Sequence, residues 1–358
     1  MAIYLMAFLI PPIIIGYHYA NSFFFNRRLT EYSSYALWTT VLRHLTHNID
    51  KGWGVVAIAP QAEVYVSKLD EDFVDDPNMS VATRPDKEAK GVRIDLAILL
   101  HRPCRRDNSP SLAAFVTLRT ASILRQLCAA FDHSLYDALS IHYTFIPLFV
   151  ELKRPLSRHI PISVWLPRIV VTLQEACDQV LQQFNCTMAS ERYLDQKEAW
   201  LIAGTLDVFC VRWIKRAHAQ AYDQVNYQTR NNEFEDMLEE WAHQDAIDRA
   251  QRAALRGASR DQPRPNRLSL AEFDTLAPPF SDDDIADYLS YLPDEERGRL
   301  SFQTTLPAHS LNDLRKTDLT RWSKPMRLGS LIADQYLSFI RNDIQAQANR
   351  VIQNWGEP

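Results

Sequence analysis

The sequence predicts an α/β domain: a mixed central sheet flanked by helices, with a helical insertion and a mostly helical C-terminal extension. Three observations carry this expectation. Short runs rich in branched and aromatic residues recur at residues 92–100, 145–150 and 199–213, as buried strands require. Around them lie stretches with apolar residues at helical spacing, foremost 31–48 and 167–184. Strand and helix patterns alternate along the first two thirds of the chain, the mark of a sheet covered by helices.

Each element follows from its residues. In 31–48, Tyr35, Trp38, Val41, Leu42 and Leu45 recur at helical spacing, with Arg43, His44 and His47 on the other face. Residues 55–59 and 63–66 read as two short strands separated by Pro60-Gln61, because proline cannot donate to a ladder. Residues 67–91 are polar and acidic and read as a loop. The 92–100 strand carries one acid, Asp95. Cys104, Arg105 and Arg106 are expected to form a basic hinge into an insertion of about 40 residues, too long for a bare loop. Its middle, 111–131, has helical periodicity, so it should pack a helix on the sheet or beside the site.

The run from Phe145 to Val150 reads as a buried strand that continues through Glu151, Leu152 and Lys153 and stops at Pro155. A helix is predicted from Pro167 to Phe184, with Gln174, Asp178 and Gln182 in a row on its flank. Residues 199–203 and 206–213 read as strands around a turn. Beyond Asn231 the chain becomes charged. A helix over 233–254, a linker near 256–280, a short helix opening at Ser281 and a final helix over 328–355 are expected. The division predicted is an apolar N-terminal segment (1–26), a core domain (27–226) and a C-terminal extension (227–358).

Composition excludes several function classes. Nine glycines and no Gly-rich phosphate loop disfavour nucleotide-binding folds built on such loops. The five cysteines show no metal-ligand spacing, so they read as thiols of an intracellular, reducing compartment. Residues 1–230 hold 24 basic against 22 acidic side chains, and 231–358 hold 15 against 22, an acidic tail on a near-neutral body. The first 26 residues carry no Asp, Glu, Lys or Arg. Residues 3–24 therefore read as a membrane anchor, as a segment packed on the body or as a poorly ordered end. The prolines at 11 and 12 cut the clean apolar run below a full span.

Glu151, Leu152 and Lys153 hold the candidate chemistry. Side chains alternate along a strand, so Glu151 and Lys153 share a face and Leu152 points to the other. A carboxylate that binds a divalent cation, beside an amine that orients water, suits phosphodiester hydrolysis. Two other acid-x-Lys triplets, at 88–90 and 195–197, lie in polar surroundings. Only the triplet at 151–153 ends an apolar strand and has a second acid, Asp95, on another strand. The structural alternative is a strand-edge aspartate and a solvent-facing ion pair. A strand-end Lys153 that faces a polar site is expected to add little to the core.

The order of a helix with Glu31 and Trp38, Pro60-Gln61 before a strand, an Asp95 strand, a Glu151-x-Lys153 strand and a Gln-bearing helix resembles the PD-(D/E)XK nuclease superfamily. It is similar in particular to the nuclease-like proteins of fungi, over roughly residues 29–216. The resemblance implies a restriction-endonuclease-like fold and a metal-dependent nuclease acting on DNA, with RNA in second place. It implies Mg²⁺ or Mn²⁺ held by Asp95, Glu151 and the Leu152 carbonyl. Lys153 would position the water, Glu31 would be an outer acid and Gln174 a helper. Ile94 stands where the superfamily's name has proline. The alternative it leaves is a catalytically inactive module that binds nucleic acid or protein.

Overall fold

The computed structural model describes residues 31–47, 49, 56–66, 90–105, 139–156, 160–190, 193–221, 224–258, 280–305 and 321–353. The apolar N-terminal segment and the predicted helix at 111–131 lie outside the described residues. Among the described residues no helix is long and apolar enough to cross a membrane.

The protein is α/β, with a six-stranded mixed sheet between two layers of helices. The strands are β1 (Val56–Val66), β2 (Lys90–Arg105), β3 (Leu139–Lys153), β4 (Glu198–Thr205), β5 (Val208–Lys215) and β6 (Met326–Arg327). They lie in the sheet in chain order, and every neighbouring pair is antiparallel except β3 and β4. That parallel pair needs a crossover, supplied by helix α2 (Ile162–Ala189). The remaining helices are α1 (Glu31–Thr46), α3 (Gln224–Ala258), α4 (Asp282–Ser290), α5 (Asp294–Leu300) and α6 (Leu331–Gln353).

Two apolar cores follow from the alternation of side chains across the sheet. On one face Ala97, Phe149, Leu201 and Cys210 meet α2, α4 and α5. On the other, Leu96, Leu148, Val150, Leu152, Trp200 and Val211 meet α1 and α6. The C-terminal segment is thus built into both cores, and β6 extends the sheet by pairing with β5. β3 lies mid-sheet with both faces covered, which is why 145–150 is almost continuously apolar. Trp200 donates its indole N–H to Asp343 on α6 at 2.9 Å, a polar tie inside the second core.

Several boundaries differ from the sequence expectation. Residues 56–66 form one strand, not two: β1 is a sheet edge, where proline is tolerated. Gln61, at φ 50°, is the irregularity between the Pro60/Leu96 and Ala62/Ile94 pairs. β2 runs through Cys104 and Arg105, so the expected basic hinge is strand at those positions. α2 opens at Ile162, and Pro167 sits inside it; this costs one ladder bond near the helix start, where Trp165 and Leu166 already need burial. α3 extends to Ala258, into the predicted linker. Met326-Arg327 is strand, and the last helix begins at Leu331. The β4–β5 turn has only Leu206 and Asp207 between paired residues. Leu206 supplies the positive φ, 43°, that such turns need, and the Trp38 indole N–H donates to its carbonyl at 2.8 Å.

Candidate active site

The candidate site lies where β2 and β3 separate. Their register ends at Leu96 opposite Val150, so the next residues on the two strands are Asp95 and Glu151. Beyond that point a side chain replaces the ladder: the Leu152 N–H donates to Asp95 Oδ2 at 2.7 Å. The other oxygen of Asp95 accepts from the Tyr35 hydroxyl at 2.8 Å, which ties the carboxylate to α1. Backbone N–H and C=O of one strand residue leave on the same side, so the Leu152 carbonyl also faces the β2 side.

Glu151 and Lys153 share the face covered by α2. Lys153 Nζ donates to Glu151 Oε1 at 2.9 Å and to Gln179 Oε1. Gln183 Nε2 donates to Glu151 Oε2 at 2.6 Å and to the Arg93 carbonyl at 3.0 Å. Two acceptors fix that amide's orientation and leave Gln183 Oε1 buried without a partner among the described residues. Glu151 and Lys153 are 5% and 3% exposed. The solvent-facing pair of the structural alternative is therefore a buried one, and its pairing is a matter of stability as well as chemistry, against the expectation that Lys153 adds little to the core.

The electrostatics follow from this enclosure. Burial, and then the neighbouring Glu151 charge, hold the Asp95 carboxyl well above the usual carboxylate range; the Leu152 N–H, the Tyr35 hydroxyl and the Lys153 charge oppose them. Glu175, one helix turn from Gln179, is also raised, first by burial and then by Asp178. The Lys153 and Arg230 charges pull it down, and Glu233 of α3 pushes it up.

The structure thus brings together Asp95, Glu151, Leu152 and Lys153 from the predicted set. It does not bring Gln174 to them. Gln174 is exposed, and its amide donates to Asp178 one turn along the same helix at 3.3 Å. Gln179 and Gln183 take the place expected for it. Glu31 is the first residue of α1, one turn before Tyr35, and Tyr35 is the α1 residue seen on Asp95. In the sequence Tyr35 shows only as part of the apolar face of that helix. Among the described residues no group of three or more His, Cys, Asp or Glu side chains is placed to hold a metal. The oxygen donors present are the two carboxylates and the Leu152 carbonyl. Hard oxygen donors suit Mg²⁺ or Mn²⁺, and a cation there would relieve the Asp95–Glu151 repulsion. An open hollow of about 370 Å³ lies elsewhere, lined by Thr39, Arg43, Thr46, Val56, Ile58 and Pro60, with no acid on its wall.

The comparisons give no match: no family model, no curated protein and no solved structure matches this chain.

Proposed function

We propose that the protein is a metal-dependent nuclease of restriction-endonuclease-like fold that hydrolyses phosphodiester bonds of DNA, with RNA as the second substrate. One observation carries this reading: two acids and a lysine from neighbouring strand ends meet where the strands part, on a crossover unit with a glutamine-bearing helix. Asp95, Glu151 and the Leu152 carbonyl would hold Mg²⁺ or Mn²⁺, which supplies charge neutralisation at the phosphoryl group and a water of lowered pKa. Lys153, fixed by Glu151 and Gln179, holds its ammonium beside the carboxylate pair and donates to the attacking water or a phosphate oxygen. Gln183 Oε1, buried without a partner among the described residues, accepts a hydrogen bond from that water. Tyr35 holds Asp95 in place from α1.

A second reading keeps the fold for binding without cleavage. It is favoured by one fact: all four oxygens of Asp95 and Glu151 already accept hydrogen bonds within the chain. The full chain incubated with supercoiled plasmid, single-stranded DNA and RNA separates the two. Nicking that needs Mg²⁺ or Mn²⁺, stops with chelator and is lost in Glu151→Gln supports the nuclease. Mn²⁺ titration should show weaker binding in Asp95→Asn, which removes one negative charge from the cation's shell. Nucleic-acid binding with no cleavage on any substrate, in the wild type and in a chain whose site is uncovered as described below, would replace it with the binding reading.

A further inference from the structure

Helix α3 lies over the mouth of this site. The ring of Phe234 stands 5.3 Å from Lys153 Nζ, and Phe234 is 2% exposed. Beyond Phe234, the described side chains of α3 are mostly exposed. Among the described side chains of this 35-residue helix, Phe234 and Leu238 are the buried apolar ones; neither belongs to a sheet-face core, and the half-buried Trp241 packs against the first. Trp241 stacks on the Arg168 guanidinium of α2 at 4.9 Å, and Asp245 pairs with the same arginine at 3.3 Å. An exposed pair, Arg230 with Asp178 at 3.4 Å, also ties α3 to α2.

All these contacts fall on one stripe at positions 230, 234, 238, 241 and 245, the helical repeat of a single narrow seam. A helix held along one such seam opens locally at lower cost than the sheet it covers. The charge of α3 points the same way. Residues 233–248 carry seven acidic side chains and no Lys or Arg. With the helix in place Glu175, Asp178 and Glu233 gather near the lysine, with Arg230 paired to Asp178; the acids outnumber that arginine and disfavour a polyanion.

We propose that α3 is an autoinhibitory cover: the Phe234–Leu238–Trp241 stripe shuts the Asp95/Glu151/Lys153 site, and release of α3 from α2 admits a polyanionic nucleic-acid strand. The substrate half of this inference rests on the nuclease reading; the cover itself does not. The test is therefore made on the lysine, without cleavage. The full-length wild type and Phe234→Ala/Leu238→Ala are treated with an acetylating N-hydroxysuccinimide ester, and acetyl-Lys153 is followed by mass spectrometry against exposed Lys215. Modification of Lys153 should be at least about tenfold faster in the variant, because labelling tracks the open population. Amide exchange in β3 and β4 should stay as in the wild type.

An unchanged rate overturns the proposal, and so does acceleration accompanied by loss of protection in β3 and β4, which would make α3 part of the core. If the double variant fails to fold, Arg168→Gln decides. It removes the Trp241 stack and the Asp245 pair away from the site, and it should speed Lys153 labelling, with no change counting against the cover. Labelling that accelerates while no cation-dependent cleavage follows keeps the cover and removes the nuclease.

Discussion

Replacing Lys153 by methionine should destabilise the protein by about 3–5 kcal/mol, the usual cost of stranding one partner of a buried ion pair. The magnitude follows from enclosure. The Lys153 and Glu151 side chains are 4% and 7% exposed, with Nζ and Oε1 2.9 Å apart. At an effective dielectric of about 20, two charges at that distance attract by about 6 kcal/mol, against which the desolvation of both must be set. Methionine keeps the stem's volume and removes only the charge and its donors, so the loss reports Glu151 left with Gln183. The exposed pair of Arg93 and Glu63, at 3.0 Å but 61% and 45% exposed, is the internal standard, and Arg93→Met should cost no more than about 1 kcal/mol. The double variant Glu151→Gln/Lys153→Met removes both charges and should recover much of the loss, with a coupling of about 1–3 kcal/mol. Urea unfolding at constant m reads each change as a midpoint shift. A Lys153→Met change below about 1 kcal/mol, or a double variant equal to the sum of the singles, would refute the buried pair.

Two further outcomes test the frame around the site. Gln196, 2% exposed, accepts from the Ile146 N–H at 2.8 Å and donates to the Ile146 carbonyl at 2.7 Å, prolonging the β3–β4 ladder by a side chain. Gln196→Ala should cost about 2–5 kcal/mol by leaving two buried backbone groups unpaired, measured by denaturant midpoint; a loss under about 1 kcal/mol would mean that water replaces the amide. His44 is held below its ordinary value by burial, then by the Arg341 and His47 charges, with Asp334 opposing. A depressed folded pKa gives stability that is present above the unfolded value, about 6.5, and is lost as pH falls through the folded one. His44→Gln should therefore flatten the acid-side decline of the thermal midpoint between about pH 7.5 and 5, and an unchanged slope would count against that role.

Much of the fold is legible in the chain because burial leaves a pattern. β3, covered on both faces, shows as an unbroken apolar run, and α2 shows as the stripe Ile169, Leu173, Ala176, Cys177, Val180 and Phe184, all buried. What burial does not govern is harder to see. β6 is two residues long and is specified by pairing with Val208 and Phe209, a long-range contact with no local periodicity. The continuity of β1 through Pro60 depends on its being an edge, which only the finished sheet decides. The seam of α3 carries few apolar positions among many charges, so its docking leaves little trace in a composition that reads as a solvated helix.

The site shows the same division at finer scale. The acid, the second acid and the lysine are readable because strand alternation places Glu151 and Lys153 together and because a charged residue inside an apolar strand demands a partner. The glutamines are not, because α2 offers two i, i+4 rows. At about 100° per residue, Gln174, Asp178 and Gln182 lie on one flank of the apolar stripe and Gln179 and Gln183 on the other. The distinguishing signal is the company each row keeps. Gln179 and Gln183 run with Thr172, Ala176 and Thr187, small or short side chains that are all buried and that let the helix approach the sheet. Gln174 runs with Asp178 beside Glu175, a row with the charge of a solvated flank. The row with small neighbours is the one that close packing can bring to β3, and its glutamines reach Glu151 and Lys153 because an amide can donate to the carboxylate and accept from the ammonium without adding a charge to a closed site.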